Sequence, residues 1–351
     1  MVDWLAGKRM KGTSTERASS YTPDVGGWVE LGRHTLGSAT DTLDVSSLDD
    51  KRYYMTLVSD INSGATQAKY RYNNDSDTNY SDRYSGNGAA DGTHPSVSYA
   101  GFHSWTTTTV NRFGVAYHAN GSTNEKLNII HGVGATATGA GTAPERVEVT
   151  GKHAQTTNPI SRIQCYNDAA GSFATGSELV VLGYDPDDTH TNNFWEELTS
   201  DDLSGSSQDI SFTAKKYLWV QCYITPTGGT FQPFFREPSD TGSNYSVRRS
   251  LAGASDATFT SIDSFGAYSN SADSTPHFLN MFIINNASNE KLVICHTISQ
   301  NTAGAGTAPT RAEYVSKWAD TSNQIDGLTV GRNSGTGTMG TGSIIKVWGA
   351  D

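Results

Sequence analysis

The chain has 351 residues, a length that suits two domains of ordinary size. Charged residues are 17%, against roughly 25% in an average soluble domain, and glycine alone counts 36. That composition argues against a helical protein, whose surfaces favour Ala, Glu, Lys and Arg. The net charge of −11 disfavours nucleic-acid binding by the body of the protein, and no apolar run approaches the roughly 20 residues of a membrane helix.

Residues 1–25 differ in character from the rest of the chain. Lys8, Arg9, Lys11 and Arg17 against Asp3 and Glu16 give +2 over residues 1–20, which leaves −13 on the remainder. Trp4 and Leu5 are apolar anchors beside Gly7, Gly12, Thr13, Ser14 and Thr15. The segment reads as a docking arm, an aromatic anchor with cations that meet an acidic partner. Its short apolar patch is no secretory leader. Three cysteines, Cys165, Cys222 and Cys295, are too few for a disulfide framework, so synthesis in a cytoplasm is expected.

Beyond the arm the chain repeats itself. Asn124-Glu125-Lys126-Leu127 recurs as Asn289-Glu290-Lys291-Leu292, and Gly139-Ala140-Gly141-Thr142-Ala143-Pro144 as Gly304-Ala305-Gly306-Thr307-Ala308-Pro309, both at an offset of 165. Arg71, Asp75, Asn79, Tyr80, Arg83 and Asp91 recur as Arg236, Asp240, Asn244, Tyr245, Arg248 and Asp256. Trp28 matches Trp195 with a two-residue drift. This is a tandem duplication: copy one over 26–185, a polar linker over 186–192, and copy two over 193–351.

Within each copy the apolar period is two. Phe113, Val115 and Tyr117 alternate with small residues, as do Leu127, Ile129, His131 and Val133 with their neighbours, and Val147 and Val149 with Arg146 and Glu148. Further strands are predicted over Tyr53–Ile61, Ala68–Tyr72, Ser96–Tyr99, Ile160–Tyr166 and Glu178–Tyr184. Eight to ten strands in about 160 residues, without a strong helix, predict an all-β chain: two tandem jelly-roll or β-sandwich domains behind an extended N-terminal arm.

Chemistry is harder to find. His131 and His296 are the repeat-matched histidines, and their strand parity with Leu127, Ile129 and Val133 points them into a core; no second histidine, cysteine or carboxylate lies at metal or triad spacing. Arg146 and Glu148, like Arg311 and Glu313, share a strand face and read as ion pairs at a sheet surface or contact. The run Gly132–Thr142 lacks the Gly-Lys-Ser/Thr end of a phosphate loop and reads as a tight connection using positive φ. Asn73–Tyr80 is rich in oxygen but lacks the Gly and terminal Glu of a calcium loop, so an Asx-stabilised turn is expected. The cysteines align with Ile, Leu and Val of the other copy and read as buried hydrophobes. No metal and no cofactor is expected.

The stretch Tyr70-Arg71-Tyr72-Asn73-Asn74-Asp75 … Asn79-Tyr80-Ser81 … Arg83 resembles that of β-sandwich structural proteins of tailed viruses, including tail, fibre and capsid-associated proteins. Copy two repeats it from Phe235 to Ser246 and departs at Pro238. The opening from Trp4 to Arg17 is similar to the start of proteins in marine phage or archaeal-virus sequences. The resemblance covers the arm and about half of each copy. It implies a virion component without enzymatic activity, made in the host cytoplasm, that assembles with itself and docks other virion proteins through the arm. A trimer would place six similar domains around one axis. Two alternatives remain open. One is a carbohydrate-binding pair for host recognition, with Tyr80/Tyr245, Tyr84 or Trp105 stacking on sugars. The other is a glycan-cleaving enzyme using Glu125/Glu148 and Glu290/Glu313.

Overall fold

The structure, a computed structural model, describes residues 27–104, 110–121, 123–186, 193–266, 274–299 and 304–351. The arm residues Trp4, Leu5, Lys8, Arg9, Lys11 and Arg17, and Trp105, lie outside them. All regular secondary structure among the described residues is β, and no helix is long and apolar enough to cross a membrane.

The first half holds β1 (Val29–Thr35), β2 (Thr42–Ser46), β3 (Tyr53–Asp60), β4 (Ala68–Tyr72), β5 (Tyr80–Gly86), β6 (Gly92–Val97), β7 (Arg112–Ala119), β8 (Lys126–Gly134), β9 (Glu145–His153), β10 (Arg162–Asn167) and β11 (Glu178–Tyr184). The second holds β12 (Glu196–Asp202), β13 (Ser207–Ser211), β14 (Tyr217–Ile224), β15 (Pro226–Thr227), β16 (Phe231–Arg236), β17 (Tyr245–Leu251), β18 (Ala257–Ile262), β19 (His277–Ile284), β20 (Lys291–Ser299), β21 (Thr310–Trp318), β22 (Gly327–Gly335), β23 (Thr338–Met339) and β24 (Ile344–Ala350). The strand predicted at Ser96–Tyr99 instead runs earlier, as β6. Ser96 takes a φ of 54° near its end, and its repeat partner Ser261 a φ of 50°.

Each half is an antiparallel sandwich of unequal sheets. An eight-stranded sheet in the order β1-β11-β3-β7-β8-β9-β5-β6 faces a three-stranded sheet β2-β10-β4. The second half repeats this as β12-β24-β14-β19-β20-β21-β17-β18 and β13-β22-β16, with a small extra ladder β15-β23. The chain is therefore two β-sandwiches of one topology.

Three apolar clusters hold the molecule together. Two lie inside the sandwiches: Tyr54, Tyr70, Tyr72, Ile130 and Val149 belong to the first, and Leu218, Tyr245, Val293, Cys295 and Trp318 to the second. The third joins the sandwiches. It takes Met55, Leu57, Phe113, Val115 and Val133 from one large sheet and Tyr217, Phe282, Leu292, Ile294 and Trp348 from the other. The outer faces of the two eight-stranded sheets thus pack on each other. Strands near this seam are buried on both faces, which is why β3 and β11 read as nearly continuous apolar runs.

This arrangement corrects one expectation. The alternating stripe Leu127, Ile129, His131 and Val133 does not point into the sandwich. It points out of it, and the inward positions of β8 are Asn128, Ile130 and Gly132. Segment 100–103 lies tight against that inner face. A Cβ on Gly132 would sit 2.1 Å from the His103 carbonyl oxygen, and one on Gly151 2.4 Å from that of Ala100. Asn128 donates through Nδ2 to the Ala100 carbonyl at 2.6 Å and to the Tyr72 hydroxyl at 2.8 Å. Small and amide residues make room for that segment, so the strand's large apolar residues occupy its outer side.

Candidate functional site

Two features of the seam and its surroundings stand out, and both come from the duplication. The first is a titratable cluster within the seam. His131 on β8 is the register partner of Glu148 on β9, and His296 on β20 that of Glu313 on β21. Face-to-face packing of the large sheets brings the two pairs together. The imidazole rings meet edge to face with centroids 4.5 Å apart, and ligand atoms of His131, Glu148 and His296 lie within 4.8 Å of one another. The expectation that neither histidine has a second histidine or a carboxylate nearby is thus overturned. The second histidine is 165 residues away in sequence, and each carboxylate reaches its histidine only through cross-strand pairing, so local spacing shows neither.

Arg146 neutralises much of this cluster. Its guanidinium reaches Glu148 at 2.6 Å, Glu313 at 3.0 Å and Asp256 at 2.8 Å. Burial and the neighbouring Glu148 push Glu313 up to about 7. Burial also opposes ionisation of Glu148, but Arg146 holds that carboxyl below its ordinary value. Burial and then His296 push His131 down to about 3, so its ring is neutral. The repeat partner Arg311 pairs with Glu313 at 3.3 Å, with no other ion-pair partner among the described residues, and is 61% exposed. Arg146 and Glu148 form an ion pair on one strand, as their spacing implies, and Arg146 also pairs across to Glu313 and Asp256 of the second sandwich.

The second feature is an open groove of about 830 Å³ on the outer face of the first sandwich, lined by Trp28, Tyr53, Ser81, Arg83, Tyr117, Leu127, Ile129, Lys152 and Tyr184. Its walls are predominantly apolar, with Leu127 55% and Ile129 49% exposed. The repeat partners Leu292 and Ile294 are 0% and 4% exposed, because the first sandwich covers them. Lys317 Nζ donates to the Ala135 carbonyl at 2.9 Å, Ser246 Oγ to that of Thr142 at 3.0 Å and Arg248 Nε to that of Pro144 at 2.8 Å. Their counterparts Lys152, Ser81 and Arg83 line the groove. Arg83 instead pairs with Asp91 at 3.6 Å.

The remaining matched residues shape turns. Asp75 Oδ1 accepts from the backbone N–H of Asp77 and Oδ2 from Asn79 Nδ2, both at 2.9 Å. Asp240 accepts from Gly242 and Asn244 in the same way. A ring nitrogen on the adjacent strand closes each turn: His153 Nε2 at 2.8 Å from Asp75, and Trp318 Nε1 donating to Asp240 at 2.6 Å. Tyr80 and Tyr245 are buried, and their hydroxyls donate to the carbonyls of Asp75 and Asp240. This removes the repeat-matched pair of aromatics expected to stack on sugars. Arg71 lies over the Tyr166 ring at 4.2 Å and Arg236 over Phe234 at 5.2 Å. Glu125 is exposed and paired at 3.1 Å with Lys152, which lies four register positions from Glu148, so these two carboxylates do not converge. The three cysteines are buried and free.

The strand pairing makes this chain a tandem β-sandwich protein, and comparisons with other proteins add little to that class. No protein-family model matches the sequence, and no curated protein does. Among solved structures it is similar to mouse laminin alpha1 chain, domains LG4-5, at 8% identity over 94% of this chain and 91% of that one, with a TM-score of 0.20. It is also similar to the LG1-3 region of the laminin alpha2 chain at 8% identity and a TM-score of 0.21, over 88% of this chain and 64% of that one, just under two thirds of its length. Likeness at such scores establishes neither a common fold nor a common function.

Proposed function

We propose that this chain is a non-enzymatic structural protein of a virion, capsid-associated or part of a tail or fibre. In this reading it assembles with copies of itself through the open face of its first sandwich, and with other particle proteins through the arm of residues 1–25. The virion assignment comes from the sequence resemblance. The observation that supports self-assembly is the unequal cover of two repeat-related faces: Leu292 and Ile294 are sealed, while Leu127 and Ile129 are open. Exposed apolar faces of this kind mark interaction sites.

The occupant is a second copy. The second sandwich exposes Phe278 and Ile298, 39% and 43% accessible. These are the repeat partners of Phe113 and Val133, which the first sandwich presents to the seam. One chain's Phe278 and Ile298 can therefore cover another's Leu127 and Ile129 as Phe113 and Val133 cover Leu292 and Ile294. Each chain then carries one donor and one acceptor face, and head-to-tail contacts of that kind close into rings, a trimer among them, or run on as filaments.

Sedimentation velocity of the full chain tests the assembly. The wild type is expected to associate at micromolar concentration, and Leu127→Glu/Ile129→Glu to sediment as a monomer. A monomeric wild type overturns self-assembly through this face. Mass spectrometry of density-purified particles tests the location. A fixed small-integer ratio to the major shell protein supports a virion role, and absence from particles removes it. Deleting residues 1–24 is expected to abolish incorporation without altering the melting temperature.

A second reading, glycan binding for host recognition, is favoured by the rings in the same groove. Tyr53 stacks on Tyr184 at 6.3 Å, and Trp28 lies 5.7 Å from Tyr184. Glycan binding lost in Tyr53→Ala would favour it; an absence of binding to host cells at high micromolar concentration removes it.

A further inference from the structure

The geometry points to a divalent-metal site in the seam: we propose that His131, His296 and Glu148, with Glu313 completing the set, ligate one zinc ion that ties the two sandwiches together. Imidazole nitrogen and carboxylate oxygen are ordinary zinc ligands, and four of them in a tetrahedron make a closed structural site. Three candidate ligand atoms already lie within 4.8 Å of each other. Small side-chain rotations bring such a set to the roughly 2 Å bond lengths that zinc requires.

Three further observations favour an ion here. His131 Nδ1 is buried without a hydrogen-bond partner, and buried polar atoms normally have one. The space among the side chains is about 10 Å³, enough for an ion and too small for an organic molecule. Three carboxylates, Glu148, Glu313 and Asp256, share two guanidiniums: Arg146 reaches all three, and Arg311 reaches Glu313 alone. A dication bound between the two imidazoles would balance the one carboxylate that these two guanidiniums leave over.

The duplication explains how such a site arises. Each copy supplies one cross-strand His–Glu pair, His131 with Glu148 and His296 with Glu313. A single copy has half a ligand set, and packing the sheets face to face completes it. The ion would hold the seam shut at its polar centre, where apolar packing cannot.

The full chain is stripped with a chelator and titrated with Co²⁺, whose visible spectrum reports tetrahedral coordination, and then with Zn²⁺. One equivalent per chain is expected, with a tetrahedral Co²⁺ spectrum that Zn²⁺ displaces. His296→Gln and Glu148→Gln are each expected to weaken binding by at least about 100-fold, since loss of even an outer-shell partner costs 10–100-fold. Zn²⁺ should raise the melting temperature of the wild type and leave that of His296→Gln unchanged. A folded wild type without stoichiometric binding overturns the site, as does equal binding by the wild type and a folded variant. Should neither variant fold, an unchanged wild-type melting temperature on metal removal overturns it as well.

Discussion

Arg112 is a fully buried cation, 3.3 Å from the equally buried Asp60, and it also donates to the Thr66 hydroxyl at 2.7 Å. His103 Nε2 lies 3.4 Å from the same carboxylate. Burial opposes the charge on Asp60, but His103 and Arg112 outweigh it and hold the carboxyl below its ordinary range. Removing one partner strands a buried charge, so Arg112→Met should destabilise the first sandwich by about 3–5 kcal/mol in denaturant titrations. Asp60→Leu/Arg112→Met removes both charges and should recover a large part of that loss. A double variant no better than the single one would mean that the pair is net stabilising. The second sandwich has Ile224 and His277 at the corresponding strand positions, so the fold itself does not require the pair. Lys291 makes a different case. Burial lowers its pKa from 10.5 to about 8, its ammonium donates to the Asp320 carbonyl at 3.0 Å, and it lies over the Trp318 ring. Because the folded value is below the unfolded one, the penalty is full below pH 8 and is relieved as pH rises from 8 to about 10.5. The gain is on the order of 3 kcal/mol. Stability of the wild type minus that of Lys291→Met, followed from pH 7 to 10.5, should show that rise; a flat difference would refute it. Neither residue announces itself in sequence, because burial of a charge depends on partners that only the fold supplies.

Turns and strand periods are local chemistry, and they were the most legible elements. Asp75 with Asn79 and Asp240 with Asn244 form the Asx turns that their spacing implies, and Gly139 and Gly304 take positive φ of 80° and 89°. Strands β4 and β11 lie where alternation and β-branched content put them. What alternation does not carry is which side of a strand faces the core. In β8 the bulky stripe belongs to the seam and the groove, while Asn128 and Gly132 face inward beneath segment 100–103. That inner face tolerates little added volume. Gly132→Ala places a Cβ against the His103 carbonyl oxygen, a backbone atom that cannot rotate away. A loss of about 3 kcal/mol is expected, at the upper end of overpacking costs, read as a fall in denaturation midpoint at constant slope. Gly141→Ala is the matched control: nothing lies within 4 Å of its added Cβ, and stability should hardly change. A Gly132→Ala variant as stable as this control would show that segment 100–103 yields easily and does not brace the sheet.

At the scale of the molecule, the duplication was readable because one offset persists along the chain, but its consequence was not. Two copies of one fold need not bury equivalent faces, and here they do not. The seam covers Leu292 and Ile294 and leaves Leu127 and Ile129 open. Likewise His131, Glu148, His296 and Glu313 become one cluster only after the large sheets stack. The seam is apolar enough to couple the sandwiches: Val133, Phe113, Leu292 and Ile294 form one continuous cluster across it, and Arg146 bridges its edge to Asp256. Exposing that surface by unfolding one sandwich alone would leave the other with an uncovered apolar face, so the full chain should melt in one calorimetric transition with equal calorimetric and van't Hoff enthalpies. Val133→Asp puts an unpaired carboxylate into the seam, where burial of a charge is far more costly than separation of the sheets. It leaves the interior cluster of each sandwich untouched, since Val133 belongs to neither. The variant should therefore split the single endotherm into two, the lower one belonging to the sandwich that relies more on the seam. That sandwich is the second, whose Trp195, Tyr217, Phe282 and Trp348 all lie in the seam cluster. If Val133→Asp melts in one transition at an unchanged temperature, the seam is not what couples the two halves.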